Sequence, residues 1–295
     1  MLKNLVYSGK SLIFQLSHRN YLTFDFYFDY MLLELAIGDA YGAGFEYAPL
    51  DFIKANNNLF TYVKHPRHRL IPGSYTDDTQ MSIAITEMIV SQQLWTRQNL
   101  ADKFVEAFKR DEREGYSSKF YDFLKRVKNG QQFLAEIGGT SDKSGAAMRA
   151  APIGIFPTIK EVKEKATIQG AITHNSPDGI DAAIASALMS HYCIYNLGEK
   201  SKLGKFIETH VRGKPWSEPW DKKVGSKGWM SVRAAITAVE RNEKMSSLLM
   251  DCINFTGDVD TVATIALAAG SCSGEIVQDL PENIKLYHVW LNTYK

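Results

Sequence analysis

The sequence predicts a single, mainly α-helical domain, and three observations carry that expectation. Apolar residues recur at helical spacing in several long segments. Period-2 alternation, the mark of a half-buried strand, is nearly absent after residue 31. No repeat, linker or low-complexity tract divides the chain. At 295 residues, 45% of them hydrophobic, the chain has the length and composition to bury a large core. Charge is balanced, with 34 Lys and Arg against 33 Asp and Glu. General nucleic-acid binders and anionic-membrane binders carry a basic excess, so neither class is indicated. Cys193, Cys252 and Cys272 form no CxxC pair or zinc spacing, and they read as small buried hydrophobes. So sparse and odd a count suits a reducing cytoplasm. No uninterrupted apolar run reaches membrane-spanning length.

Residues 1–30 read as an extension to a domain spanning 31–295. Leu12-Ile13-Phe14-Gln15-Leu16 is too short and interrupted for a signal sequence, and no small-residue cleavage site follows. The aromatic-dense stretch 21–30 fits a packed extension, a strand or a segment that docks on a partner. Met31 is an alternative start. From there an apolar run leads to Gly38-Asp39-Ala40-Tyr41-Gly42-Ala43-Gly44-Phe45-Glu46. Its small residues permit close backbone packing. Asp39 and Glu46 are candidate site carboxylates, although each taken singly reads first as structural. Residues 48–74 read as a loop, with the basic residues from Lys64 to Arg69 as solvated surface and Pro72-Gly73 as a turn.

Next, Tyr75-Thr76-Asp77-Asp78-Thr79 opens an amphipathic helix with Met81, Ile85, Met88 and Ile89 on one face. Residues 98–110 and 118–129 are expected to be helical. Residues 138–149, rich in Gly, Ser and Ala, read as a loop running into a helix, an arrangement that presents backbone N–H groups to an anion. Neither a Walker A spacing nor GxGxxG is present. Thr173-His174-Asn175 precedes a strong helix with Ser176 or Asp178 as cap and Pro177 in its first turn. The segment holding Trp216, Trp220 and Trp229 suits either stacking on a ligand or pinning a loop to the core. Residues 230–241 and 244–253 read as helices, as does the chain from Pro281 to Trp290.

Gly257-Asp258-Val259-Asp260-Thr261 then opens a helix that is apolar almost all round. Ser, Thr and Asp before a helix are usually N-caps. Here, though, two distant openings each carry paired acids where one cap suffices. Carboxylate and hydroxyl oxygens together suit hard divalent cations.

Taken together and in this order, these stretches resemble the ADP-ribosylglycohydrolase family from Met31 on. The matching residues are Gly38-Asp39-Ala40-Tyr41-Gly42 with Glu46, Tyr75-Thr76-Asp77-Asp78-Thr79, Gly145-Ala146-Ala147-Met148-Arg149 with Pro152-Ile153-Gly154, Thr173-His174, and Gly257-Asp258-Val259-Asp260-Thr261. The resemblance implies an all-α orthogonal helical bundle with a dinuclear Mg²⁺ or Mn²⁺ centre at the base of an ADP-ribose cleft. It implies that Thr76, Asp77, Asp78 and Asp260 hold one metal ion and that Asp258, Asp260 and Thr261 hold the second, with Glu46 a mobile acid beside them. Thr140, Ser141, Asp142, Lys143, Ser144 and Gly145 match the loop that receives the diphosphate, and His174 matches a residue lining the cleft. Lys143-Ser144 stands where the family commonly has Gly-Asn.

The implied reaction is metal-assisted release of ADP-ribose from a modified protein side chain, arginine being the first choice. Asp77, Asp78 and Glu46 are the candidates to take a proton from the attacking water. Two other roles stay open. One is an immunity protein that also occludes an ADP-ribosylating toxin through residues 1–30. The other is a non-catalytic ADP-ribose binder.

Overall fold

The computed structural model describes residues 21–67 and 69–285, and among these the regular structure is helical, with only isolated β-bridges. The helices are α1 (Tyr21–Gly42), α2 (Leu50–Asn56), α3 (Asp77–Val90), α4 (Arg97–Arg110), α5 (Ser118–Arg126), α6 (Gly130–Glu136), α7 (Ile159–Thr173), α8 (Pro177–Ile194), α9 (Leu203–His210), α10 (Gly228–Arg241), α11 (Met245–Asn254) and α12 (Val259–Ser271).

The centre of the molecule is α12. Its sequence is apolar on every side, and nearly every residue from Val259 to Gly270 is buried. A helix of that composition is stable only when wrapped. The partners that wrap it are α1, α8, α10 and α11. The closest crossing is with α1: a Cβ at Gly42 would lie 2.4 Å from the Cα of Asp260. Only glycine allows the two backbones to approach that far. Around this centre α3 packs on α4, α4 on α6, and α7 on α8. An aromatic cluster of Phe104, Phe120, Phe123 and Phe133 joins α4, α5 and α6.

Local chemistry sets the helix starts. Thr96, Asn129, Thr158 and Ser176 each accept a hydrogen bond from the backbone N–H three residues on. Of the two caps expected before α8, the structure uses Ser176, with Pro177 in the first turn.

Several expectations are corrected. Residues 48–74 contain a helix, α2, following Pro49. Residues 21–30 are no strand; they continue into α1. Helix α5 stops at Arg126, where Val127 turns extended. The helix expected after Gly145 is replaced by two 3₁₀ turns, Ser144–Ala146 and Ala151–Ile155, the second containing Pro152. Proline there removes a backbone donor that a continuing α-helix needs. Near the C-terminal end, Glu282–Ile284 forms a 3₁₀ turn, and Tyr287–Trp290 of the expected final helix lies outside the described residues. So do residues 1–20 of the extension. Trp216 and Trp220 are buried, their indole N–H groups donating to Val211 O and Lys222 O, so they pin their loop to the core. All three cysteines are buried and free. Among the described residues no helix is long and apolar enough to cross a membrane.

Candidate active site

The acid-bearing openings of α3 and α12 meet beside the end of α1. Asp39, on the last turns of α1, is fully buried. Its carboxylate accepts from Thr76 N at 2.9 Å, Thr76 Oγ1 at 2.7 Å, Thr79 N at 3.0 Å and Thr79 Oγ1 at 2.5 Å. Four donors saturate one carboxylate. Asp39 therefore braces the start of α3, and the structural reading of this residue holds. That brace fixes Thr76, Asp77 and Asp78 at the mouth of the helix.

At the other opening, Thr256 and Gly257 both have left-handed backbone, with φ of 63° and 93°. A Cβ at Gly257 would fall 1.9 Å from Val224 O, so the turn demands glycine twice over. The turn delivers Asp258, whose Oδ2 accepts from Ser231 Oγ at 3.0 Å, and places Asp260 and Thr261 in the first turn of α12. The Thr261 side chain lies close enough to Asp78 and to Asp258 to draw both carboxyls down, so the two openings meet at this residue.

Glu46 reaches the same place from the segment after α1. One carboxylate oxygen from each of Glu46, Asp258 and Asp260 lies within 4.8 Å of the others. The arm carrying Glu46 is held from behind. His65 Nδ1 accepts from Arg67 N at 3.0 Å, so its Nε2–H donates to Glu46 O at 2.7 Å. Tyr47 N donates to Gly257 O at 2.7 Å, and Arg67 donates to Tyr47 O. His65 and Arg67, expected as solvated surface, thus brace the site. Neither they nor Ser231 carries a local sequence signal, because the partner lies far along the chain.

Electrostatics test whether these residues suit a cation. Asp39, Glu46, Asp77, Asp78, Asp258 and Asp260 crowd together, and among the described residues none of them forms a salt bridge. Burial pushes Glu46 up to about 7, and the charges of Asp258 and Asp39 add to it. Burial likewise lifts Asp258 to about 6, although hydrogen bonds from Ser231, Ser144 and Thr261 draw it back in part. Asp77, Asp78 and Asp260 are held well above the usual carboxylate range, first by burial and then by neighbouring carboxylates. Asp78 Oδ2 and Asp260 Oδ1 are buried without a hydrogen-bond partner. Unpaired buried acids are costly. Unsatisfied oxygens from carboxylates and hydroxyls are the donor set that hard divalent cations take, so the residues fit the implied metals.

The loop of residues 140–145 lies against the same site. Thr140 bridges to His174, and Ser141 N donates to Thr173 O at 3.3 Å. Asp142 pairs with Lys227 at 2.8 Å and Lys143 at 3.8 Å. Ser144 N donates to Ser226 O at 3.1 Å, the Ser144 side chain lies close enough to Asp258 to draw its carboxyl down, and Gly145 lies against the His174 ring. Of the expected loop residues, Ser144 reaches the acids at Asp258, while Thr140, Ser141 and Gly145 lie along Thr173 and His174; Ser144–Ala146 form a 3₁₀ turn in place of an α-helix N-terminus.

A sequence profile of the ADP-ribosylglycohydrolase family matches residues 30–286. The ADP-ribosylarginine hydrolase Tri1 of Pseudomonas putida (strain GB-1) is 25% identical over 254 residues, which cover 80% of this chain and 67% of that one. The ADP-ribosylhydrolase ARH3 of Xenopus tropicalis is 28% identical over 320 residues, covering 86% and 89%. A solved structure titled "ADP-ribosylglycohydrolase-related protein complex" superposes with a TM-score of 0.66 at 19% identity, covering 90% of this chain and 93% of its own, and so shares the fold. The chain belongs to the ADP-ribosylglycohydrolase family, and with it to the glycosidic-bond hydrolases.

Proposed function

We propose that the protein is a divalent-metal-dependent hydrolase that removes ADP-ribose from modified protein side chains in the cytoplasm, with arginine the first acceptor to test. The observation that carries this reading is the set of crowded carboxylates that form no salt bridge among the described residues, two of them with a buried oxygen lacking any hydrogen-bond partner. The acids do not act as helix caps: Asp39 braces α3, and neither Thr76 nor Asp258 at the two N-cap positions makes a side-chain cap bond. The arginine preference rests on the printed name of the Pseudomonas putida relative.

In this reading Thr76, Asp77, Asp78, Asp258, Asp260 and Thr261 would hold two Mg²⁺ or Mn²⁺ ions, with Asp260 shared as the family resemblance implies. Such ions, when bound, would supply Lewis acidity toward water and the ribose hydroxyls. Of the three clustered carboxylates Glu46, Asp258 and Asp260, only Glu46 is half-buried, so it meets both the cluster and solvent. It takes a proton from the water that attacks C1″ as the bond to the acceptor breaks. That proton passes on to the departing nitrogen or oxygen, so the water adds OH to C1″ and H to the acceptor, leaving free ADP-ribose and the unmodified side chain. Residues 140–145 and His174 receive the ADP-ribose.

The test is release of ADP-ribose from ADP-ribosyl-arginine and ADP-ribosyl-serine peptides, with Mg²⁺ and with chelator. Mg²⁺-dependent release from the arginine peptide is expected. Equal release in chelator would sink the metal assignment, and release from the serine peptide alone would reassign the acceptor. ADP-ribose binding without any release would make the protein a binder.

A further inference from the structure

Arg149 is 2% exposed, and among the described residues no carboxylate pairs with it. Its Nε donates to Gln169 Oε1 at 2.7 Å, and its Nη2 donates to Gln169 O at 3.2 Å and to Thr173 Oγ1 at 2.8 Å. The guanidinium lies 4.4 Å from the centre of the Phe104 ring. Burying a cation on neutral partners is expensive, which asks for a reason beyond packing.

Thr173 Oγ1 also stands 2.7 Å from His174 Nδ1. A threonine hydroxyl has one proton to give and lone pairs to accept with. Arg149 has no acceptor, so it always occupies a lone pair of Oγ1. A proton on Nδ1 would take the second lone pair of Oγ1 and leave the hydroxyl proton with no acceptor among the described residues, so the arrangement that satisfies both groups has Oγ1–H donating to Nδ1. The ring proton must then sit on Nε2. Nε2 has no hydrogen-bond partner among the described residues, and it faces Gly145, where an added Cβ would lie 3.1 Å away.

We infer that Arg149 is a positioning residue that acts through Thr173 to fix His174 as a neutral donor, its Nε2–H beside Gly145 and open to an oxygen of the ligand. Burial and the nearby guanidinium push the His174 imidazolium down to about 3, so the ring stays neutral at physiological pH. His174 is thereby a fixed hydrogen-bond donor with no acid–base role. The ligand's part in this rests on the ADP-ribose reading above; the tautomer does not.

Histidine-selective ¹⁵N labelling of the full chain, with multiple-bond ¹H–¹⁵N spectra, reads the tautomer of each ring. His174→Gln assigns the signal. The expected result is an Nε2–H ring that does not titrate across neutral pH. Thr173→Val removes the hydroxyl and keeps the shape. It should let the Nδ1–H form appear, weaken ADP-ribose binding about 5- to 10-fold, as for one lost hydrogen bond, and raise KM while sparing kcat. Thr173→Ser should restore all three. Arg149→Lys keeps the charge and loses the fork, and it should also mix the tautomers. A wild-type ring in the Nδ1–H form, or one left unchanged by Thr173→Val, overturns the relay. A tautomer as expected in a protein that binds no ADP-ribose would refute the ligand half together with the proposed function, because the spectra decide the relay by themselves.

Discussion

Asp260 shows what a single side chain does here. It is buried, one oxygen lacks a partner, and Glu46, Asp258, Asp78 and Asp39 all repel its charge. Asp260→Asn should therefore lower turnover by on the order of 100-fold or more, comparable to losing a well-held metal contact. In chelator it should melt a few degrees above the wild type, because a like charge has been removed. A lower melting temperature in chelator would show that the carboxylate stabilises the metal-free fold. The same crowding sets a pH dependence. Glu46 at about 7 and Asp258 at about 6 lie above their ordinary values of 4.5 and 3.8. The folded metal-free protein keeps protons that the unfolded chain has already released, so this contribution is full below about pH 4 and is lost as pH rises through about 7. Thermal melts in chelator should fall between about pH 5 and pH 8, and Mg²⁺, which favours the ionised forms, should flatten the fall; a rise in chelator would contradict the assignment. The paired acids were legible in the sequence because one helix opening needs only one cap. The roles of His65 and Arg67 were not, since a basic residue in a loop looks the same whether it meets water or a distant carbonyl.

Helices are where the sequence spoke most clearly and where short pieces misled it. The starts of α3, α8 and α12 follow from caps, Pro177 and apolar spacing that act within a few residues. Seven-residue α2 is too short for a period to show, and residues 144–155 combine small residues with Pro152, which a local reading takes for a helix start. The approach of α1 to α12 is a tertiary fact, visible beforehand only as a cluster of small residues. Gly42→Ala would drive a Cβ to 2.4 Å from the Cα of Asp260. It should cost about 1–3 kcal/mol in urea unfolding, in the range of other overpacked sites, and weaken Mg²⁺ binding as Asp260 shifts; an unchanged unfolding midpoint would mean the crossing relaxes freely. Thr96→Ala is the contrasting case. It removes the cap on Asn99 N of α4, away from the acids, and should cost about 1 kcal/mol while leaving activity unchanged.

At the scale of the molecule, the site joins parts of the chain that are far apart in sequence: the end of α1, the start of α3, the loop 140–145, and the start of α12. A ligand that binds only the folded form stabilises it by mass action, about 2.7 kcal/mol at one hundred times its Kd. Melting temperature should therefore climb with Mg²⁺ concentration in the wild type and stay flat in Asp260→Asn. The α-helical class and the residues of the two openings were readable in advance. Their convergence was not, because it depends on helices wrapping α12, which no local window contains. The α1–α12 crossing has a further consequence for how the protein is born. During synthesis α1 leaves the ribosome long before its partner is made, and until α12 follows, its buried face has no permanent cover. The nascent chain must carry that apolar surface while everything between the two helices is made, a period when chaperones have the most to hold. Contacts between such distant segments also close slowly, so the acids come together late, as one of the last acts of folding.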